Sequence, residues 1–162
     1  MDIKRVEYTS SAATVVGTGS SNIINECSWT DVDAMRAVKP FANSYAISKT
    51  ITKKAALEFA EKNGNDLVTV IPTWIHGTFI TPQTPGSVSS SMEMTLDNVA
   101  NAHIFLFDNP NAKRRYTWTS TEDLKRSSLS SKRLLETGFK YKYGLEDMYD
   151  GAIECCKQRE IL

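Results

Sequence analysis

The stretch Asn63-Gly64-Asn65-Asp66-Leu67-Val68-Thr69-Val70-Ile71-Pro72 joins a helix stop to a strand. Asn-Gly-Asn offers residues that accept left-handed backbone, the conformation that closes a helix. The run from Asp66 to Pro72 is short and mostly apolar, as strands buried on both faces of a parallel sheet are. Upstream, Tyr45, Ser48, Lys49, Thr52, Ala55, Ala56, Phe59 and Ala60 recur at three- and four-residue spacing along one stripe, which predicts a helix from Pro40 to Lys62. Further back, Val6-Glu7-Tyr8-Thr9 reads as a strand, and Gly17-Thr18-Gly19-Ser20-Ser21-Asn22 as a flexible loop after it. Strand, long connection, helix, strand is the βαβ order, and a right-handed crossover is then nearly obligatory. The expected class is α/β with a parallel sheet.

Beyond Pro72, Pro82, Pro85, Gly86 and the serines from Ser87 to Ser91 punctuate a segment with little periodicity, a surface loop. A second helix is predicted from Leu96 to Phe107, where Leu96, Val99, Ala100, His103, Ile104 and Phe107 share a face, and Asn109-Pro110-Asn111 stops it. Arg115 to Thr119 reads as a strand, Ser131 to Glu136 as a short helix closed by Gly138, and Leu145 to Lys157 as a last amphipathic helix. Lys113-Arg114-Arg115, the tight basic run, reads as a solvated helix-to-strand connection.

A chain of 162 residues, 41% hydrophobic and 23% charged, is long enough for one globular domain with a hydrophobic core. Nineteen basic residues balance nineteen acidic ones, so net charge argues for neither a nucleic acid nor an anionic membrane as partner. Nothing approaches the roughly 20 apolar residues of a membrane span. Cys27 stands alone and Cys155 and Cys156 are adjacent, a pattern that fits neither a metal site nor a disulfide framework. A soluble protein of a reducing, cytoplasmic compartment is the expectation. His76 and His103 have no companion at metal-ligand spacing.

Chemistry centres on Tyr45-Ala46-Ile47-Ser48-Lys49. Residues four apart on a helix share a face, and an ammonium beside a phenol favours the phenolate, which helps that group exchange a proton near neutrality. The pair alone also arises by chance. Context comes from Tyr8-Thr9-Ser10-Ser11-Ala12, which sets hydroxyls at the C-terminal end of a predicted strand, the edge where open α/β sheets hold ligands.

Together Ser11, Tyr45 and Lys49 resemble the Ser, Tyr and Lys of the extended short-chain dehydrogenase/reductases. Trp29-Thr30-Asp31-Val32-Asp33, Val38-Lys39-Pro40-Phe41 and Gly138-Phe139-Lys140-Tyr141-Lys142-Tyr143 followed by Leu145-Glu146-Asp147-Met148 narrow the resemblance. They are similar to the plant dihydroflavonol reductase, anthocyanidin reductase and vestitone reductase group, nearest to its vestitone reductase-like members. The resemblance implies NADPH-dependent reduction of a ketone of a flavonoid or related phenolic. Tyr45 is then the proton donor, Lys49 the ligand of the cofactor ribose, and Ser11 the residue that orients the carbonyl. Ser11 is preferred to neighbouring Ser10 because the family's second serine is the one aimed at the substrate. Pro72 and Ile75 match the turn beside the nicotinamide, and Ser87 the loop near the cofactor. Val16 replaces the asparagine that dihydroflavonol reductases place five residues after the catalytic serine, which argues against that substrate.

The same resemblance marks what is missing. Family members begin with a strand, a Gly-x-x-Gly-x-x-Gly turn and a helix that cradle the pyrophosphate. None of the eight glycines forms that motif, and a strand so soon after Met1 suggests a cut N-terminus. Shortenings are expected between Ser91 and Met94 and between Asp123 and Ser127. The expected architecture is a single partial NAD(P)-binding Rossmann-like reductase domain over residues 1–162, an incomplete doubly wound sheet. About 1–80 holds the remaining sheet and catalytic helix, and about 81–162 a reduced, helical substrate-side region. Three readings stay open: part of an active enzyme, a non-catalytic remnant that cannot bind NADPH, or a chain that folds with another subunit.

Overall fold

A computed structural model of the chain describes residues 5–16, 24–38, 43–73, 75, 96–118 and 129–160. Three strands, β1 (Arg5–Thr9), β2 (Asp66–Pro72) and β3 (Arg114–Trp118), form a parallel sheet in the order β1-β2-β3. Arg5 pairs with Asp66 and Thr9 with Val70 across the first ladder, and Val68 with Arg114 and Pro72 with Trp118 across the second. The strands expected around Val6 and Leu67 thus lie side by side in one sheet. β2 is central, and Val68, Thr69, Val70, Ile71 and Pro72 are all buried, as a strand covered on both faces requires.

Alternation along the strands divides the sheet into two faces. On one, Val68, Val70, Tyr116 and Trp118 form the core with Val99, Ala102 and Leu106 of α3 (Leu96–Asp108) and with Leu134 of α4 (Lys132–Glu136). Phe139 and Tyr141 close that core through edge-to-face rings, Tyr141 against Trp118 at 5.6 Å and Phe139 against Phe105 at 5.5 Å. The last helix, α5 (Leu145–Gln158), begins where the Asp147 carboxylate accepts the Gly144 N–H at 2.9 Å, and it buries Met148, Cys155 and Cys156.

The opposite face carries α2 (Asn43–Asn63) and a 3₁₀ turn at Ala12–Thr14. Gly64, at φ +68°, closes α2 with two hydrogen bonds: Asn65 N–H donates to Ala60 O at 2.9 Å and Gly64 N–H to Glu61 O at 3.4 Å. The face α2 buries shares Ala60 with the stripe read from its spacing but is otherwise turned away from it. Ala46, Thr50, Lys53 and Ala60 turn inward, while Tyr45, Ser48, Thr52 and Ala55 are exposed and Phe59 is 63% exposed. The helix has little apolar contrast between its faces, so its tertiary neighbours decide its rotation.

A helix that spacing did not reveal, α1 (Val32–Val38), follows Asp31, whose carboxylate accepts the N–H groups of Asp33 and Ala34, both at 3.0 Å. Arg114 and Arg115 belong to β3, and Arg115 is half-buried against Trp29, so the basic run is not a merely solvated connection. The loop at Gly17–Asn22 and the shortenings expected near Ser91 and Asp123 lie outside the described residues, as do Trp74 and His76.

Candidate functional site

The C-terminal end of β1 continues one bond past the strand, where Ser10 N–H donates to Val70 O at 2.8 Å. Ser11 then turns the chain. Its backbone is extended (φ −157°, ψ 150°) and its Oγ accepts the Ala13 N–H at 3.2 Å, which starts the 3₁₀ turn. The two serines differ in access. Ser10 is 3% exposed with Oγ 3.2 Å from Thr14 Oγ1, whereas Ser11 is half-buried.

Over this turn runs α2. Lys49 Nζ donates to the carbonyl of Thr9 at 3.4 Å and lies 5.8 Å from the centre of the Tyr8 ring. Tyr45, one turn earlier on the same helix face, is 51% exposed. Burial, and next the neighbouring Tyr45 phenol, push the Tyr8 hydroxyl above the ordinary tyrosine value. Tyr8 and the Thr9 carbonyl were not singled out from the sequence, because β1 and α2 are about 40 residues apart and no local spacing links them. Lys49 and Tyr45 are thus both tied to the end of β1, Lys49 through Thr9 and Tyr8 and Tyr45 through Tyr8, and the Ser11 turn follows two residues after Thr9.

Pro72 ends β2 at this edge and is buried, and Ile75 follows, half-buried against the core. Ser87 lies outside the described residues. Among the described residues, no group of three or more His, Cys, Asp or Glu could hold a metal, and no helix is long and apolar enough to cross a membrane.

Two further polar networks lie close by. Beneath Ser11, the fully buried Lys53 donates from Nζ to Thr14 Oγ1 at 3.0 Å, and its ammonium lies 4.8 Å from the centre of the Trp29 ring. Burial, with the charge of Arg115 second, lowers the Lys53 pKa to about 7. On the opposite sheet face, His103 of α3 bridges β1, with Nδ1 2.9 Å from Glu7 Oε2 and Nε2 3.1 Å from Thr9 Oγ1. Thr9 is thus tied on one side to His103 and offers its carbonyl to Lys49 on the other.

Known proteins resemble this chain in sequence and in fold. Vestitone reductase of Medicago sativa is 34% identical over 206 residues, a match covering 99% of this chain and 63% of that protein. Its crystal structure superposes with a TM-score of 0.88, covering 98% of this chain and 66% of that one. Over its length, the chain is similar to the vestitone reductase and dihydroflavonol 4-reductase family. Dihydroflavonol 4-reductase of Callistephus chinensis is likewise 34% identical, across 99% of this chain and 57% of that protein. Yeast methylglyoxal/isovaleraldehyde reductase, solved with NADPH, shares the fold at a TM-score of 0.75 and 21% identity, across 98% of this chain and 65% of that one. No protein-family model matches the chain.

The chain therefore spans somewhat less than two thirds of these relatives' length. Its family match runs over 206 positions against the chain's own 162 residues, so the relatives also carry internal residues that this chain lacks. The fold is the Rossmann-type fold of the short-chain dehydrogenase/reductases, seen over that portion.

Proposed function

We propose that the chain carries the proton-transfer portion of an NADPH-dependent reductase that converts a ketone of a flavonoid or related phenolic to an alcohol. The observation that carries this reading is the reach of Lys49, on α2 one turn after Tyr45, to the carbonyl of Thr9, two residues before Ser11 at the C-terminal end of β1. The names of the relatives, vestitone reductase and dihydroflavonol 4-reductase, point the same way. Val16, where dihydroflavonol reductases carry asparagine, favours a substrate of the first kind over the second.

The residues present fit one end of the cofactor and not the other. Lys49 and Tyr45 are exposed enough to bond ribose hydroxyls, and half-buried Ile75, three residues after buried Pro72, offers apolar surface to the nicotinamide. For the pyrophosphate the 162 residues contain no Gly-x-x-Gly-x-x-Gly turn. Bound NADPH supplies a hydride. The rest belongs to this chain: Ser11 Oγ–H donates to the ketone oxygen and fixes its direction, and Tyr45 gives up its phenolic proton to that oxygen as it becomes an alcohol. Lys49, held by Thr9 O, keeps a positive charge beside the tyrosine while the proton leaves.

A fusion of the N-terminal portion of alfalfa vestitone reductase to this chain tests the reading. With a panel of isoflavanone and dihydroflavonol ketones, the fusion is expected to oxidise NADPH. Tyr45→Phe should lower kcat by about 100-fold or more, the usual range for a lost general acid. A well-folded fusion that binds NADPH yet turns over no ketone would sink the proposal in favour of a non-catalytic chain, and a Tyr45→Phe variant as active as the parent would overturn the role given to Tyr45.

A further inference from the structure

At the other edge of the sheet, where β2 and β3 begin, a cleft of about 510 Å³ opens between α2 and β3. That volume lies within the range of small-molecule sites. Trp29 and Leu57 form part of its wall, and its charged residues are Lys113, Arg114, Arg115, Glu61 and Asp66. Asp66 is already paired with Arg5 at 2.7 Å, which leaves three cations facing Glu61. We propose that this cleft binds a phosphate-type oxyanion, held by Lys113, Arg114 and Arg115 beside the indole of Trp29.

Three independent features support the assignment. Arg115 stacks on Trp29 with its guanidinium 4.3 Å from the ring centre, yet its Nη1 is buried and has no hydrogen-bond partner. A buried charged donor left without an acceptor is costly, and a turn of the guanidinium toward an oxyanion in the cleft would remove that cost. Cations also crowd the same indole: Lys53 at 4.8 Å and Lys54 at 5.4 Å lie on it as well. Burial, with the charge of Arg115 second, disfavours the charged form of Lys53, and burial disfavours that of Arg115 against a partial offset from Cys27 and Glu26. Finally, Arg114 sits at φ +72°, a left-handed conformation that long side chains rarely adopt. Strain of this kind persists at ligand sites, where the placement of a side chain matters more than local comfort.

Distance separates this cleft from the reductase site. Asp66 and Arg114 begin their strands, whereas Ser11 and Pro72 lie at the opposite ends, so the site is independent of the catalytic reading. The arginine fork matches tetrahedral oxyanions, whether free phosphate or the phosphate of a nucleotide.

Isothermal titration of the purified chain with pyrophosphate, ADP and adenosine at fixed ionic strength tests the proposal. Saturable one-to-one binding of pyrophosphate is expected, with a rise in thermal midpoint and no response to adenosine. ADP binding equal to pyrophosphate identifies the phosphate alone as the ligand, and tighter ADP binding that is lost in the cleft variants identifies a nucleotide. Arg115→Ala endangers the Trp29 stack, so the decisive variants are the exposed Lys113→Ala and Arg114→Gly, the latter relieving the backbone. Each should weaken pyrophosphate by about tenfold, the usual effect of a lost charge-assisted bond. No saturable binding by the parent chain overturns the proposal, and so does a Lys113→Ala/Arg114→Gly double variant that binds pyrophosphate as tightly as the parent.

Discussion

Lys53 is the residue whose setting departs most from its chemistry, a lysine with no exposed surface in the middle of α2. It is tolerated because its stem packs under the Ala12–Thr14 turn while its amine keeps a bond to Thr14 Oγ1. Its folded pKa of about 7 lies below the ordinary lysine value of 10.5. Below pH 7 both folded and unfolded chains hold the proton, and the folded state bears the full cost of a buried charge. Between pH 7 and 10.5 the folded chain releases a proton that the unfolded chain keeps, so stability rises with pH across that window, by at most about 1.4 kcal/mol per pH unit. Urea unfolding at pH 6, 8 and 10 should show the rise. Lys53→Met should raise the midpoint at pH 6, change it little at pH 10 and flatten the dependence. A variant that keeps the parent's slope would assign the effect to another group. None of this is legible in the sequence, since residues 14, 29, 53 and 115 meet only in the folded chain. The Tyr45–Lys49 pair, by contrast, is written in a four-residue spacing.

Between elements, Arg5 does the joining on the α3 face. Its Nε donates to Asp66 Oδ2 at 2.7 Å, binding β1 to β2, and its Nη1 donates to the carbonyls of Leu106, Phe107 and Asn109 at 3.0, 3.0 and 2.6 Å. A cation at a helix C-terminus satisfies carbonyls that have no partner within the helix and complements the helix dipole. Arg5→Ala should therefore cost about 2–4 kcal/mol, the scale for losing several charge-assisted bonds at a partly buried site. Arg5→Lys should recover only part, because an ammonium cannot reproduce the guanidinium fork. Equilibrium denaturation measures both, and an Arg5→Ala midpoint within error of the parent would show the network to be idle. Elements were legible where a local signal was strong: β2 by its apolar run, the end of α2 by Asn63-Gly64-Asn65, and α3 by its periodic face. α1 escaped because its seven residues are too few for periodicity to register, although Asp31 was a usable cap signal. The buried face of α2 escaped for a different reason: with little apolar contrast, the packing of Trp29 and the Ser11 turn determines it, and those come from distant parts of the chain.

At the scale of the molecule, the family resemblance was legible because the catalytic spacing and several flanking motifs survive together, while the cationic cleft was not, because Trp29 and the basic run lie more than 80 residues apart. What the whole chain can do follows from setting its two sheet edges against its glycines. Ser11, Tyr45 and Lys49 sit on α2 and on the Ser11–Thr14 turn that follows β1, and all of these belong to the described structure. Nicotinamide cofactors draw much of their affinity from oriented backbone donors and a helix dipole around the pyrophosphate, and no glycine turn of that kind is present in the 162 residues. Lys49 and Tyr45 by themselves offer a few bonds to a ribose, exposed to water and correspondingly weak. The 162-residue chain alone is therefore expected to bind NADPH very weakly and to turn over no ketone, whereas the fusion carrying a family N-terminal portion gains both. Fluorescence titration of the unextended chain with NADPH decides the matter. A signal that does not saturate in the low micromolar range agrees with the argument. Saturation there, abolished by Lys49→Ala, would show that the ribose and nicotinamide contacts suffice without the glycine turn.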